Sequence, residues 1–322
     1  MKTKVIILFV ALFAVAATTN IVVNTFERPR AKVTAKIINE MGMPVVGAHV
    51  RFAFSGATDD NAIVKVEGTT DLKGEFVGEG YCRREFGTSV TKDSYYESTV
   101  NLPKFTEHKD GKWQPWNPIA ETVLRPVGQT IALYAKSGWI EIPIAGKPCG
   151  YDLDKGDWVT PYGKGMVADL VFDLERRYVS RDDFDVNVEL KFSKPLDGIQ
   201  EVKWPEIGRD SVFKWPREAP ENEYISILKT TLTSSRHGYK ANATEKQAYF
   251  IRVRTVEQDG KIVSARYGKI RGGFELAPSN SKTCKVKLSY YYNPTSLDRN
   301  LEWDTKRDLF SGLSDMETPR EP

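Results

Sequence analysis

Histidine and cysteine are both scarce in this chain of 322 residues, which contains three of each. The histidines, His49, His108 and His237, lie far apart and form neither an HExxH motif nor any other paired metal-ligand spacing. Each is therefore interpreted as an ordinary surface histidine rather than as a ligand or a general base. GxSxG elbows, phosphate loops and dinucleotide fingerprints are also missing from the sequence. We accordingly expect no cofactor and no metal.

The cysteines Cys82, Cys149 and Cys284 are widely separated, which excludes a zinc ribbon and a CxxC redox motif. Two of them could form a disulfide in an oxidising compartment, or all three could be buried free thiols. A chain of this length does not need a disulfide to be stable. The sequence leaves both alternatives open.

A strong excess of charge of one sign is lacking as well. Lys and Arg number 46 and Asp and Glu number 43, and they are interspersed along the chain, so the formal net charge is +3. A nucleic-acid-binding protein usually carries a basic patch or stripe. We therefore expect no nucleic-acid partner.

The N-terminus has the three parts of a secretory signal. Lys2 and Lys4 precede the apolar run 5–16, and residues 14–16 are small enough for a signal peptidase. This pattern predicts a signal peptide over residues 1–17 and a secreted, periplasmic or cell-surface protein. An uncleaved anchor that ends at residue 23 is the alternative, because 21–23 are again apolar. Cleavage is favoured because polar residues 18–20 interrupt the run, and the protein would meet the membrane only through an uncleaved segment.

Beyond the signal, short runs in which apolar and polar residues alternate are separated by Gly, Pro, Asn and Asp. This period is typical of half-buried β-strands. The clearest runs are 32–38, 48–54, 186–192, 249–254 and 285–291, and the Asp259-Gly260 pair predicts a hairpin after the fourth of them. Short helices are expected only at 304–313 and 221–228. The sequence predicts an all-β protein with two antiparallel β domains.

Residues 31–135 resemble a known module. The stretches PVVGAHVRF (44–52), TTDLKGEF (69–76) and KDSYYESTVNL (92–102) are similar to the carboxypeptidase regulatory-like domain. The resemblance implies a transthyretin-like, Ig-like β-sandwich. The family usually has Gly before the Tyr of the third stretch, where this chain has Ser94. Such modules accompany many activities, so the resemblance implies a fold and no particular chemistry.

Composition divides the remainder of the chain. The Gly- and Pro-rich segment 137–158 is predicted to link the first domain, 31–136, to a second β-rich domain at 159–310. Residues 311–322 contain two prolines and little to bury, and they are predicted to be a disordered tail.

Acidic residues offer no organised motif. The cluster around Asp152, Asp154 and Asp157 fails the pattern of a calcium loop, since Gly163 stands where a bidentate Glu is needed. It is interpreted as a turn that carries solvated carboxylates. Asp169 and Asp173 are expected on one exposed strand face, where carboxylates have ordinary acidity. An extracellular hydrolase that uses carboxylates of the second domain therefore remains an alternative, and an enzyme is less expected than a binding protein.

Tryptophan gives the strongest indication of binding. Trp113 and Trp116 lie between strands in the segment KWQPWNP (112–118), where two prolines stiffen the backbone. Exposed indoles on such a loop could stack against a glycan or a peptide, so these two are the predicted ligand-binding residues. The alternative is that they pack against the sandwich. Trp139 and Trp158 are expected to join the domains, whereas Trp204 and Trp215 frame a long loop.

These features together favour an exported, non-catalytic binding or assembly module of the cell envelope or the secreted fraction. Its expected partner is a protein or a glycan outside the cytoplasm. A structural surface subunit, in which edge strands pair with other copies, is a further alternative.

Overall fold

The computed structural model describes residues 27–59, 61–203, 210–278 and 283–322. The predicted signal at 1–17 and Trp204 lie outside this set. The described residues form an all-β protein, as the sequence predicted, and include no helix long and apolar enough to cross a membrane. The short helices expected at 221–228 and 304–313 are absent from these ranges, where the chain is irregular or forms strands.

The first unit is one hydrogen-bonded sheet of eight strands, in the order β3-β2-β4-β1-β7-β6, with β5 on β2 and β8 on β1. Its strands are β1 (Arg30–Ile38), β2 (His49–Ser55), β3 (Ile63–Thr69), β4 (Glu75–Tyr81), β5 (Gly87–Thr91), β6 (Glu107–Lys109), β7 (Lys112–Gln114) and β8 (Ile119–Val123). Strand β2 meets β4 only at Ser55 and Tyr81. The sheet therefore folds over at this point and encloses a core.

Alternation places the core residues of β1 and β2 as the sequence predicted. Val33, Ala35 and Ile37 are fully buried, and so are Val50 and Phe52. Strand β4 faces these rings with glycines: a Cβ at Gly78 would lie 2.0 Å from the Phe52 ring, and one at Gly80 would lie 2.4 Å from the Phe54 ring. The aromatic rings thus occupy the space that β4 leaves free.

The second unit consists of two sheets. The six-stranded sheet, in the order β11-β10-β12-β13-β15-β16, contains β10 (Cys149–Asp152), β11 (Asp157–Trp158), β12 (Leu170–Ser180), β13 (Asp183–Lys191), β15 (Ile227–Ser235) and β16 (Gly238–Ala241). The seven-stranded sheet, in the order β14-β17-β18-β20-β9-β21 with β19 on β20, contains β9 (Ile131–Ile142), β14 (Gly198–Glu201), β17 (Ala248–Gln258), β18 (Lys261–Arg271), β19 (Leu276–Pro278), β20 (Cys284–Asn293) and β21 (Trp303–Asp308).

The two sheets share one apolar core. Alternate residues of β13, including Val186, Val188 and Leu190, meet alternate residues of β20, including Val286 and Leu288. The predicted hairpin at Asp259-Gly260 joins β17 to β18. Cys149 and Cys284 are buried in this core and Cys82 in the first; all three are free thiols.

The domain boundary lies earlier than the composition predicted. Strand β9 pairs with β20 along nine residues and therefore belongs to the seven-stranded sheet. Residues 137–158, expected to be a linker, supply the end of β9 and all of β10 and β11, and they bury Tyr151 and Trp158. Composition misled here because Gly and Pro occupy the turns between strands. The connection between the units is the shorter segment 124–130.

The C-terminal residues 311–322, expected to be disordered, lie against the seven-stranded sheet. The carbonyl of Glu317 accepts a hydrogen bond from the backbone N–H of Ser137 at 2.8 Å, and the carbonyl of Glu321 accepts one from the Tyr291 hydroxyl at 2.7 Å. Arg271 also pairs with the Glu321 carboxylate at 2.6 Å. These contacts with the sheet hold the C-terminal segment in place, although the segment has few apolar residues of its own to bury.

A charged cluster joins the two units. Arg125 is 5% exposed, pairs with Glu40 at 2.7 Å and donates to the carbonyls of Phe213 and Trp215. Arg217 bridges Glu40 and Glu302 at 2.9 and 2.7 Å. The loop that carries Phe213 and Trp215 therefore covers the outer face of the seven-stranded sheet and holds the first unit against it.

Candidate functional site

The structure places the two predicted ligand-binding tryptophans differently. Trp113 lies on β7 and is 7% exposed; its indole N–H donates to the Cys82 carbonyl at 3.0 Å, and its ring lies beside Phe105. Its ring has no free face for a ligand. Trp113 therefore packs against the sandwich, which was the alternative to ligand binding. Trp116 is half-buried, with the Lys112 ammonium 5.0 Å from its ring centre. Only Trp116 keeps part of its ring at the surface.

Trp113 is buried because it closes one end of the first core. Its hydrogen bond to Cys82 and its contacts with Phe105 and His108 tie β6 and β7 to the rest of the unit. Burial also raises the pKa of the Cys82 thiol to about 11, partly offset by the hydrogen bond with Trp113. The thiol is therefore protonated and unreactive at neutral pH.

Trp139, expected to join the domains, is instead 47% exposed. It lies on β9 directly opposite Lys287 on β20, and two residues from Ser137 on the same face. Ser137 stands opposite Ser289, and the hydroxyls of these two serines are hydrogen-bonded to each other. The indole thus stands on the outer face of the seven-stranded sheet, where Lys287, Ser137 and Ser289 lie on the same face. We call the set Ser137, Trp139, Arg271, Glu275, Lys287 and Ser289 the Trp139 face.

A cavity of about 340 Å³ lies beside Lys287, the cross-strand partner of Trp139. The other members of the Trp139 face line this cavity, whereas Trp139 itself does not. Lys287 pairs with Glu275 at 3.1 Å and with Glu245 at 3.3 Å. Burial disfavours its charge, but these two carboxylates outweigh burial and raise the pKa of Lys287. The cavity therefore presents donors and acceptors of both charges, and Lys287 places it next to the strand position of the exposed indole.

A larger groove, of about 860 Å³, lies on the first unit between residues 84–88 and 99–106. Phe86, Val100 and Leu102 form its apolar floor, and Arg84 and Lys104 lie at its exposed rim. The combination of an apolar floor and cationic rim is suited to an extended polypeptide more than to a flat sugar ring.

The carboxylates considered for hydrolysis are structural. Asp169, expected to be exposed, is 1% exposed and is held by two nitrogens of Arg254, each at 2.7 Å. Asp152 is 2% exposed. It accepts hydrogen bonds from the backbone N–H groups of Met166 and Val167 and forms an ion pair with Arg254 at 3.2 Å. The predicted turn is present at 153–156, but its carboxylates are not simply solvated: Asp152 is buried, and both Asp152 and Asp154 pair with Arg254.

Arg254 lowers the pKa of both carboxyl groups, but the net shifts of Asp169 and Asp152 have opposite directions. Burial raises the pKa of Asp169, although Arg254 opposes that rise. For Asp152 burial acts in the same direction, but backbone hydrogen bonds and Arg254 outweigh it and lower the pKa. Asp173 pairs with Lys191 at 3.0 Å on the surface. Neither of the two cavities described above is lined by Asp152, Asp169 or Asp173.

Residues that could hold a metal are not grouped in the described chain, where no three His, Cys, Asp or Glu side chains form a suitable cluster. Trp215, which frames the long loop, is 4% exposed and packs against Phe250. Trp158 is buried in the second core rather than between the units. Trp139 is the candidate that the sequence missed. The two-residue period of β9 would have placed it on the face opposite the half-buried Tyr134 and the buried Ile142.

No family model matches the chain, and no curated protein matches it. Among solved structures, it is similar to that of a proposed carbohydrate-binding protein from Bacteroides uniformis ATCC 8492. The identity is 9%, the match covers 84% of this chain and 99% of the other, and the TM-score is 0.19. A likeness this distant carries no inference about the function of this chain.

Proposed function

We propose that this chain is an exported, non-catalytic binding protein that holds glycan on the Trp139 face. The observation that carries the proposal is the 47% exposure of Trp139 on the outer face of the sheet, directly opposite Lys287, which lines a cavity of polar side chains. An indole offers a broad apolar face that suits the C–H face of a sugar ring, and adjacent polar groups can fix the sugar hydroxyls.

Location outside the cytoplasm is part of the same proposal. The signal pattern at residues 1–17 supports it, and so does the resemblance of residues 31–135 to a module found in exported proteins. In this proposal the first unit is an accessory sandwich and the second unit carries the glycan site. The buried ion pairs of Asp152 and Asp169 with Arg254 support a binding role over hydrolysis, because both acids are already engaged.

Trp139→Ala tests the proposal. Xylan, mixed-linkage β-glucan, pectin and peptidoglycan serve as probes in affinity electrophoresis and pull-down with the mature chain. We expect wild type to bind at least one probe and Trp139→Ala to lose that binding. Its melting temperature should change little, because about half of the indole is already in water.

Trp116→Ala is the matched control, since Trp116 is the other tryptophan among the described residues that is not buried, and it lies in a different unit. Equal binding by wild type and Trp139→Ala would contradict the assignment of the site. Loss of binding in Trp116→Ala alone would return the site to the segment that the sequence predicted.

Capture of a polypeptide segment is a second candidate function, favoured by the 860 Å³ groove of the first unit. The double variant Arg84→Glu, Lys104→Glu reverses the charge of its rim without touching the Trp139 face. Loss of an acidic peptide ligand in this variant, with binding retained in Trp139→Ala, would support the groove instead.

A further inference from the structure

Strand β3 forms a free edge of the first sheet. It pairs with β2 on one side, and no other described strand pairs with its second side. Ile63 and Val64 at its start are 67% and 49% exposed. An edge of this kind presents backbone N–H and C=O groups to any strand that fits it, and proteins usually protect it with charge. The charges of β3 therefore decide which strand it accepts.

The charged residues of β3 are Lys65 and Glu67, which lie two residues apart and so point to the same face. Glu67 pairs with Arg51 on β2 at 2.9 Å. Lys65 stands opposite Ala53 and makes no ion pair with any described residue. Within seven residues, this edge thus carries one cation and one anion at positions symmetric about Val66.

The opposite face of β3 is small and apolar. Val66 packs against the first core, and Gly68 lies beside the Phe76 ring. Val64 continues this face toward the solvent. A strand added at the edge would extend the apolar face with its own valines.

We propose that β3 pairs with β3 of a second copy of this chain, antiparallel and centred on Val66. The two-fold symmetry of this arrangement places each Lys65 opposite Glu67 of the other copy. It also places each Val64 opposite Gly68 of the other copy, which has no side chain to obstruct it. Both charged pairs are attractive, and the valines lie on the face that continues the core.

The charge pattern selects this register over its neighbours. A pairing centred on Lys65 places the two lysines opposite each other, and one centred on Glu67 does the same with the two glutamates. Like charges directly opposite one another destabilise a pair of strands. A slip of one residue would turn the valines to the charged face. Two copies of an edge strand that carried only lysines would repel each other. Two copies of β3 attract each other in this register, because each carries one lysine and one glutamate.

Seven residue pairs make a small interface, so the association is weak. Contacts well below the area of a standard interface correspond to transient complexes, and we expect a Kd between about 10 µM and 1 mM. Sedimentation velocity of the mature chain at low salt should show the weight-average mass rising across this range. High salt should reduce the association, because the charged pairs are exposed.

Charge reversal tests the register. Lys65→Glu places Glu opposite Glu67, and Glu67→Lys places Lys opposite Lys65, so each variant alone should dimerise at least about tenfold more weakly than wild type. A mixture of the two restores both attractive pairs, and it should form a heterodimer about as tightly as wild type. Lys73→Glu, an equal charge change at an exposed turn of the same unit, should leave the association unchanged.

The mixture also controls for misfolding, because two variants that had failed to fold would not form a heterodimer when mixed. A wild-type chain that remains monomeric up to about 1 mM would overturn the proposal. So would Lys65→Glu dimerising like wild type, or a mixture of the two variants that stays monomeric. None of these measurements uses a glycan, so they are independent of the proposed function.

Discussion

Lys269 extends from β18 into the space beneath the loop that joins the two units, and its ammonium nitrogen is fully buried. The nitrogen lies 5.3, 5.1 and 4.7 Å from the ring centres of Phe213, Trp215 and Tyr291, and no described atom accepts a hydrogen bond from it. A protonated amine in such a site gains from the ring faces but loses its hydration.

Burial is the larger effect and lowers the pKa of Lys269 to about 7, although Glu302 opposes the shift and Arg125 and Arg271 add to it. An unfolded lysine titrates near its ordinary value of 10.5. Between about pH 7 and pH 10.5, therefore, the unfolded chain binds a proton that the folded chain does not, and this lysine makes stability rise with pH. Below about pH 7 both states are protonated and the cost of burial is fully present.

Lys269→Met should therefore stabilise the protein, because methionine fills the same space without a charge. We expect a gain of about 1–3 kcal/mol in the free energy of unfolding at pH 7, and a gain that shrinks as the pH approaches 10. Urea denaturation at pH 6, 7, 8.5 and 10 measures both. Lys240→Met, at an exposed position on β16, should change stability little at any pH. A destabilised Lys269→Met would show that the ring contacts outweigh desolvation.

At the scale of strands, the first core depends on the glycines of β4. Glycine weakens a strand interior and usually marks a close approach, and here Phe52 and Phe54 lie where a Cβ of Gly78 or Gly80 would be. The motif residues of the first unit act similarly: the Asp71 side chain accepts the N–H groups of Lys73 and Glu75 to shape the turn before β4. In this unit the turn residues and the glycines of β4 therefore favour the same strand arrangement that the packing of the core requires.

Gly78→Ala should destabilise the first unit by about 1–3 kcal/mol, since the added methyl overlaps a ring that is fully enclosed. Gly87→Ala on β5 is the matched control, because its Cβ would meet only the Ala53 methyl, at 3.4 Å. Urea denaturation followed by tryptophan fluorescence compares them. Equal stability of the two variants would mean that the Phe52 ring moves aside freely.

The strands that the sequence predicted best are those with one face in a core and the other turned toward water, such as β2 and β13. Strand β17 was predicted as a strand, but the burial of its second face was not: Phe250 and Arg252 are also buried, under a loop from a distant part of the chain. The placement of Trp113 and Trp139 was inverted for the same reason. Whether a ring is covered depends on which segment folds over it, and spacing along one strand carries no information about that.

At the scale of the molecule, the two proposals place their surfaces on different units. The Trp139 face belongs to the second unit and the β3 edge to the first, so pairing through β3 leaves residues of the glycan site untouched. A β3 dimer would carry two Trp139 faces. Two linked sites bind a repetitive polymer more tightly than one, because the second contact is made at a high effective concentration.

Lys65→Glu should therefore weaken retention on an insoluble polysaccharide while leaving the affinity for a short soluble oligosaccharide of the same linkage unchanged. The loss on the polymer should reach at least about tenfold at protein concentrations where wild type is dimeric. Trp139→Ala should lose both interactions, and Lys73→Glu neither. Depletion binding to the polymer and calorimetry with the oligosaccharide measure the two affinities. If Lys65→Glu and wild type were retained equally on the polymer, each chain would bind it independently. Dimerisation through β3 would then contribute nothing to the affinity for the polymer.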